Sequence, residues 1–98
     1  MHVLTVCYGH PADPAAFDSY YTSTHVPLAE KTPGMASFTY RHCHSLDGSQ
    51  PPYHLIAQLS FPSREAMNAA LASPESQAAG ADLPNFATGG VTMFVAHD

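Results

Sequence analysis

Apolar residues form four short stretches along the chain, and each stretch predicts a β-strand. The first stretch covers Val3 to Tyr8 and the last covers Val91 to Ala96, and both are apolar on both strand faces. Met35 to His44 and Tyr53 to Phe61 predict the two strands between them. In the third strand, alternation assigns Tyr53, Leu55, Ala57, Leu59 and Phe61 to one face and His54, Ile56, Gln58 and Ser60 to the other.

A recurrence of apolar side chains at three- and four-residue steps predicts a helix after the first strand. Asp13 is its expected N-cap, with Pro14 at the first helical position. Pro27 disfavours α geometry at the preceding residue, so we expect the helix to end or kink there. A second helix opens at Pro62-Ser63, and Ser73-Pro74 restarts it as a looser helical segment. The buried stripe of the first helix is predicted to contain Phe17, Tyr20, Tyr21, Thr24, His25 and Leu28.

The order of these elements, βαββαβ, predicts an α+β protein of the ferredoxin-like plan. Its four-stranded antiparallel sheet would carry both helices on one face. Because the first and last strands are apolar on both faces, the second face of the sheet also needs a cover, and the simplest cover is the same face of another copy. We therefore expect a homodimer whose two sheets pack into a shared α+β barrel. A monomer whose sheet exposes one face to solvent would need more charged residues at alternate strand positions than the chain contains.

Composition narrows the partners and the location. The chain has 98 residues, of which only 11% are charged and three are basic, and its net charge is -5. This length predicts a single domain spanning residues 1–98, and the acidic balance argues against nucleic acid or an anionic membrane as a partner. The N-terminal stretch has no basic n-region, and no window is long and apolar enough for a membrane span. Cys7 and Cys43 lack CxxC or framework spacing and are expected as free thiols, so we expect a cytoplasmic protein.

His25 is the leading candidate for chemistry. It lies on the predicted inner stripe near the end of the first helix, where the helix dipole favours the imidazolium and an apolar wall disfavours it. Such opposing influences suit an acid–base residue. The alternative is a buried histidine that hydrogen-bonds a carbonyl and closes the helix.

Three stretches of the chain carry a family resemblance: DPAAFDSYYTSTHVPLAEKTPGM, PPYHLIAQLSF and SPESQAAGADLPNFATGGVTMFVA. Together they resemble the EthD family of dimeric α+β barrel proteins, and YYxxxHxPL followed by Pro-Gly is the most specific element. The resemblance implies the fold and the dimer predicted above, with a cavity between the sheet and its helices. The family takes its name from an association with bacterial degradation of an ether fuel additive, and its members are often labelled reductases. Relatives with established chemistry include muconolactone isomerases and decarboxylases or cyclases acting on aromatic and polyketide substrates.

The resemblance also bears on individual residues. In the lactone isomerases the histidine that matches His25 belongs to the active site, which supports an acid–base role for His25. The resemblance touches Tyr40 and His54 loosely; on neighbouring strands, a phenol and an imidazole would polarise or protonate a substrate carbonyl. The alternatives are an ordinary strand aromatic for Tyr40 and a polar residue at the dimer interface for His54. The sequence does not determine which strand face bears the pocket.

Four more residues are candidates for substrate binding. One of Tyr20 and Tyr21 is expected to line the cavity, with its hydroxyl near the rim. Phe86 is expected to pack as a lid or wall. Asp82 is the only acid in a low-charge stretch, so it would orient a histidine or bind substrate; the alternative is a loop aspartate that bonds local backbone N–H groups.

The His42-Cys43-His44 run raises the question of a metal. His42 and His44 would share a strand face and form half of a zinc or copper site, but the sequence places no third ligand and Cys43 would point to the opposite face. We therefore expect no metal. Neither GxGxxG nor a P-loop is present, so no nicotinamide or flavin cofactor is expected either.

Two functions account for these observations, whereas a third possibility, a dimerisation module without a ligand, leaves the aromatic stripe and His25 unexplained. The first is a small enzyme that acts without a cofactor on a hydrophobic oxygenated or aromatic small molecule, by isomerase, decarboxylase or cyclase chemistry. His25 would transfer the proton, and Tyr40 and His54 would hydrogen-bond a substrate oxygen. The alternative is a binding or accessory protein of an oxidative, ether-degradation-like catabolic pathway, in which His25 only closes the helix.

Overall fold

Four strands build the sheet in the structure, a computed structural model that describes residues 1–98. They are β1 His2–Tyr8, β2 Ser37–His42, β3 Leu55–Phe61 and β4 Val91–His97, joined as one antiparallel sheet in the order β2-β3-β1-β4. The helical elements are α1 Pro14–Tyr20, a π turn Tyr21–His25, α2 Val26–Glu30, α3 Arg64–Leu71, α4 Pro74–Asp82 and a 3₁₀ turn Leu83–Asn85. This arrangement confirms the ferredoxin-like α+β fold. No helix combines the length and the apolar character that crossing a membrane would require.

Strand register decides which side chains face the helices. Val6 in the central strand β1 pairs with Ala57 of β3 and Met93 of β4, so all three lie on one face of the sheet. Helices cover this face, and its side chains join theirs in a single core. The buried members of that core are Val6, Tyr8, Phe17, Tyr21, Val26, Leu55, Ala57, Leu59, Phe61, Met67, Ala70 and Phe86.

The opposite face of the sheet carries no helix and is apolar along β4. Phe94 points to this face and is 52% exposed. Met93 and Val95 point to the other face, yet they are also exposed because β4 is an edge strand. The last strand therefore presents hydrophobic side chains to solvent on both sides.

The first helical segment starts at the predicted residue but does not end at Pro27. Asp13 accepts a hydrogen bond from the Ala16 N–H at 3.1 Å and caps α1, as predicted. Before Pro27 the chain widens into the π turn, whose closing bond runs from the Val26 N–H to the Tyr21 carbonyl. A proline offers no N–H to the preceding helical turn, and the wider turn takes up this mismatch so that α2 can follow.

The π turn also changes which side chains of this segment are buried. Phe17, Tyr21, His25 and Ala29 are buried at regular four-residue steps. Thr24 is exposed, so its place in the predicted inner stripe is wrong. That stripe assumes a uniform 3.6-residue period, which a π turn interrupts.

Candidate functional site

A cavity of about 230 Å³ lies between the sheet and the helices. Twelve of its 16 lining residues are hydrophobic. The lining side chains that carry polar atoms are Tyr8, Tyr21, His25, Thr32 and Ser76. An apolar cavity with a few polar groups is the usual form of a small-molecule site.

His25 and Asp82 form a buried pair at this cavity. His25 is the last residue of the π turn and Asp82 the last residue of α4. His25 Nδ1 lies 3.0 Å from Asp82 Oδ2, and the two side chains are only 6% and 8% exposed. Because a carboxylate only accepts hydrogen bonds, Nδ1–H is the donor, and in the neutral ring Nε2 keeps its lone pair. Asp82 thus fixes both the orientation and the tautomer of His25.

Asp82 is held by side chains and not by local backbone. Its Oδ1 accepts hydrogen bonds from the Tyr20 hydroxyl and from Asn85 Nδ2, the latter at 3.0 Å. Burial disfavours the carboxylate, but the hydrogen bonds from Tyr20, Asn85 and His25 outweigh it and hold the pKa of Asp82 below its usual value. The interpretation of Asp82 as a loop aspartate that bonds backbone N–H groups is therefore wrong. Tyr20 contributes to the site through Asp82 and is not a lining residue.

Tyr8 completes the chain of polar groups on the other side of His25. Its hydroxyl lies 3.4 Å from His25 Nε2 and donates to that nitrogen. Burial raises the pKa of Tyr8 well above its usual value, so the phenol stays protonated. Sequence reasoning missed Tyr8 because it looks like an ordinary core aromatic. The signal that identifies it is its place at the end of β1 on the same face as Leu4 and Val6, the face that the first helical segment covers.

Tyr21 supplies a hydroxyl that has no partner within the protein. It is 1% exposed, and its oxygen is buried without a hydrogen bond. Burial, followed by the neighbouring Tyr8 phenol, raises the pKa of Tyr21. A buried hydroxyl without a partner is uncommon because it forfeits its bonds to water. Of the two tyrosines considered in the sequence, Tyr21 is the one that lines the cavity.

Tyr40 lies next to the site without lining the cavity. Its ring meets the Tyr21 ring edge-on, with 5.2 Å between centroids, and its side chain is 37% exposed. Tyr40 belongs to the edge strand β2, and Tyr21 occupies the position nearer the cavity. The structure therefore does not bring the Tyr40 hydroxyl together with His25.

Phe86 packs directly on His25. The two rings have centroids 4.7 Å apart, and Phe86 is 5% exposed. It also stacks on Tyr20, with centroids 5.4 Å apart. Phe86 acts as a wall behind the His25–Asp82 pair, and it is not a lining residue of the cavity.

His54 lies on the helix side of the sheet, away from His25. Its ring contacts Phe17 edge-on at 5.1 Å, and its Nε2 lies 2.8 Å from Asp18 Oδ1. The alternation that assigned His54 to the opposite face with Ile56 is wrong at this residue, because β3 begins only at Leu55. His54 therefore does not lie on the open face of the sheet.

His42 does not act with His44. Its Nε2 lies 3.0 Å from Asp18 Oδ1, the same oxygen that His54 contacts. His44 follows the end of β2 and is exposed. The residues next to His42 are thus Asp18 and His54, which are distant from it in sequence, and none of the three lines the cavity.

Comparison with known proteins assigns the family. The EthD domain model matches residues 9–90. The chain belongs to the EthD family. The residues matched by the EthD domain contain both His25 and Asp82.

Three other proteins are similar to this chain in sequence or in fold. An uncharacterised 11.0 kDa protein from the thcB-thcC intergenic region of Rhodococcus erythropolis is 52% identical over 93 residues, which cover 95% of this chain and 90% of that protein. A solved EthD family protein from Bacillus halodurans has a TM-score of 0.93 at 28% identity and covers 100% of this chain and 98% of its own. A dimeric ferredoxin-like protein of unknown function from Jannaschia sp. is similar in fold alone, with a TM-score of 0.71, 16% identity and full coverage of both chains.

Proposed function

We propose that this EthD protein is a cofactor-independent enzyme that transfers a proton on a hydrophobic oxygenated or aromatic small molecule held in the cavity. The observation that carries the proposal is the buried Asp82–His25 pair, which presents His25 to a largely apolar cavity. A histidine oriented by a carboxylate is a recurrent general base, because the carboxylate stabilises the imidazolium that forms. The reaction would be of isomerase, decarboxylase or cyclase type.

His25 Nε2 is the atom that accepts the proton in this proposal. The long 3.4 Å contact from the Tyr8 hydroxyl is easily exchanged for a contact with substrate. The proton leaves a carbon or oxygen of the substrate, and the bonding pair stays on the substrate as an enolate or phenolate. In an isomerisation, His25 then returns the proton to another substrate atom; in a decarboxylation CO₂ leaves before the carbon is protonated, and in a cyclising condensation water leaves. None of these steps consumes an oxidant or a reductant.

Tyr8 and Tyr21 suit the oxygen of that intermediate. Both hydroxyls are buried, and both phenols have raised pKa values, so they stay protonated and can donate hydrogen bonds. Donors fixed in an environment without water stabilise a developing oxyanion better than water does. Tyr21 needs no bond broken first, since its hydroxyl has no partner in the protein.

The cavity limits the substrate to a compact, mostly apolar molecule. Its volume is about 230 Å³, whereas an apolar cavity of about 150 Å³ accommodates benzene. One substituted ring or two small fused rings match this space. No Lys or Arg lines the cavity, so a strongly anionic substrate is disfavoured.

The alternative is a binding or accessory protein that holds such a molecule for a separate oxygenase, in an ether-degradation-like catabolic pathway. The mainly hydrophobic lining favours this role, because hydrophobic contacts bind a ligand without any reaction taking place. In that case the hydrogen bond between His25 and Asp82 would only hold the end of the π turn against the end of α4.

The assembly we propose is a cytoplasmic homodimer of a single EthD-like domain, without nucleic acid or membrane as a partner. The exposed side chains of Met93, Phe94 and Val95 support a covered β4, and the relative from Jannaschia sp. is a dimer. The free thiols Cys7 and Cys43 support a reducing compartment.

The test begins with a thermal-shift screen of aromatic lactones, polyketide-like phenols and quinones, followed by turnover assays and by proton–deuterium exchange of each hit in D₂O. In His25→Asn, the protein should fold and bind the hit while turnover and exchange fall by a factor of roughly 10² or more. Thr24→Ala, at the exposed neighbouring position, is the control and should behave as wild type. Wild-type exchange in His25→Asn would reject the enzyme and leave the binding protein.

A further inference from the structure

Three side chains of types that can bind metal ions converge at the outer edge of α1, outside the cavity. Asp18 belongs to α1, His42 ends β2, and His54 precedes β3. Both imidazole Nε2 atoms point at Asp18 Oδ1, from 3.0 Å and 2.8 Å, and the three donor atoms lie within 4.8 Å of one another. No other group of three or more His, Cys, Asp or Glu side chains in the chain has this proximity.

Neighbouring contacts hold the donors in place. The His54 side chain is only 15% exposed and lies between the rings of Phe17 and His42, at 5.1 Å and 5.2 Å. The backbone at the same edge is fixed by the Cys43 N–H, which donates to the His54 carbonyl at 3.0 Å. These contacts fix His54, whereas the side chain of His42 is 55% exposed and is held by its contact with Asp18.

One oxygen of Asp18, Oδ1, is already in contact with both imidazoles. Two imidazoles and one carboxylate form a set of ligands that zinc and other first-row transition metals accept in sites with three protein ligands. Mg²⁺ and Ca²⁺ prefer oxygen ligands alone, so the set does not suit them.

We propose that Asp18, His42 and His54 form a binding site for one Zn²⁺-like divalent transition-metal ion. Neutral imidazoles would bind through the Nε2 lone pair with the proton on Nδ1, and the carboxylate through Oδ1. Three protein ligands leave at least one coordination position to water. The ion would join α1 to the β2–β3 edge, and the site is independent of the proposed enzyme, because none of its ligands lines the cavity.

The test uses the full-length protein, freed of metal by chelation and dialysis. Co²⁺ titration followed by visible absorbance and Zn²⁺ titration followed by calorimetry should each give one ion per chain, with Zn²⁺ displacing Co²⁺. At a free Zn²⁺ concentration about 100 times the dissociation constant, the Tm should rise by roughly 10 °C.

Variants of each ligand distinguish a built site from scattered surface histidines. His42→Ala, His54→Ala and Asp18→Asn should each weaken binding by roughly 100-fold or more, beyond the 10–100-fold loss typical of a residue that only orients a ligand. His44→Ala removes an exposed histidine two positions from His42 and should leave affinity unchanged. Absence of one-to-one binding, or an equal loss in His44→Ala, would overturn the proposal. If His54→Ala does not fold in the metal-free state, His42→Ala and Asp18→Asn decide the question, since their side chains are far more exposed.

Discussion

His25 donates a hydrogen bond to Asp82 at 3.0 Å across a separation of 57 residues. The contact joins the end of the π turn to the end of α4, so the two helical segments meet at the wall of the cavity. Burial of both side chains keeps water from competing for this bond. The same contact therefore serves the packing of the helices and the chemistry proposed for the cavity.

Asp82→Asn should reduce kcat by roughly 10²-fold or more on a substrate found in the screen, because an amide permits the wrong imidazole tautomer and cannot stabilise an imidazolium. The measurement is steady-state turnover together with Tm. Asn85→Ala removes one hydrogen bond to the same carboxylate but leaves its charge, so its effect on kcat should be much smaller. Equal kcat values for Asp82→Asn and wild type would contradict the role given to the carboxylate.

Tyr21→Phe should separate stability from binding. The hydroxyl has no partner in the protein, and an unsatisfied buried group costs about 1–3 kcal/mol, so its removal should leave the Tm unchanged or raise it. Affinity for an oxygenated ligand should fall by roughly 5- to 10-fold, the value of one hydrogen bond. Calorimetry on Tyr21→Phe and on Tyr40→Phe checks this, because Tyr40 does not line the cavity and its variant should bind normally. A Tyr21→Phe protein with lower Tm and normal affinity would show that the hydroxyl is structural.

Lowering the pH should reduce the contribution of Asp82 to the free energy of unfolding. Since the folded-state pKa of Asp82 is lowered, its stabilising effect is full above the unfolded-state pKa of about 3.9 and is lost as the pH falls through the folded-state value. The difference in unfolding free energy between wild type and Asp82→Asn should therefore be largest near pH 5 and shrink toward pH 2. Urea denaturation at a series of pH values measures it. Asp18 and Asp47, whose pKa values are also lowered, titrate in both proteins and cancel. A difference that stays constant with pH would refute the prediction.

Phe94→Asp should convert a dimer into a monomer. The wild type is expected to sediment as a dimer at micromolar concentration, since an apolar strand this exposed needs a cover. A charge at Phe94 on the open face would be buried unpaired in that interface. Leu46→Asp is the matched control, because Leu46 is a fully exposed hydrophobic residue outside the sheet, and it should leave the dimer intact. Wild-type protein that sediments as a stable monomer would exclude the barrel.

The order of the elements and the antiparallel sheet could be read from the sequence because the periods of strands and helices are local properties. His54 marks where this reasoning fails, since alternation assumes a continuous strand and β3 begins one residue later. Thr24 fails for a related reason, because a π turn breaks the helical period without leaving a trace in the hydrophobic pattern.

The candidate site was only partly accessible from the sequence. His25 stands out because a titratable residue on a buried stripe is unusual. Its bond to Asp82 depends on how α4 packs against the π turn, which no local pattern encodes. The same holds for His42, His54 and Asp18, whose proximity follows from strand pairing and helix packing together.

The π turn places one extra residue in the first helical segment, and this residue changes how the parts of the segment before and after it are rotated relative to each other. In a regular helix each residue turns the chain by about 100°, and removing one residue rotates everything beyond it by that angle. Deletion of Ser23, whose side chain is exposed, would therefore leave the helix intact while turning either His25 away from Asp82 or Phe17 away from the sheet. The rotation of this helix about its own axis, more than its length or composition, directs the imidazole of His25 toward the cavity.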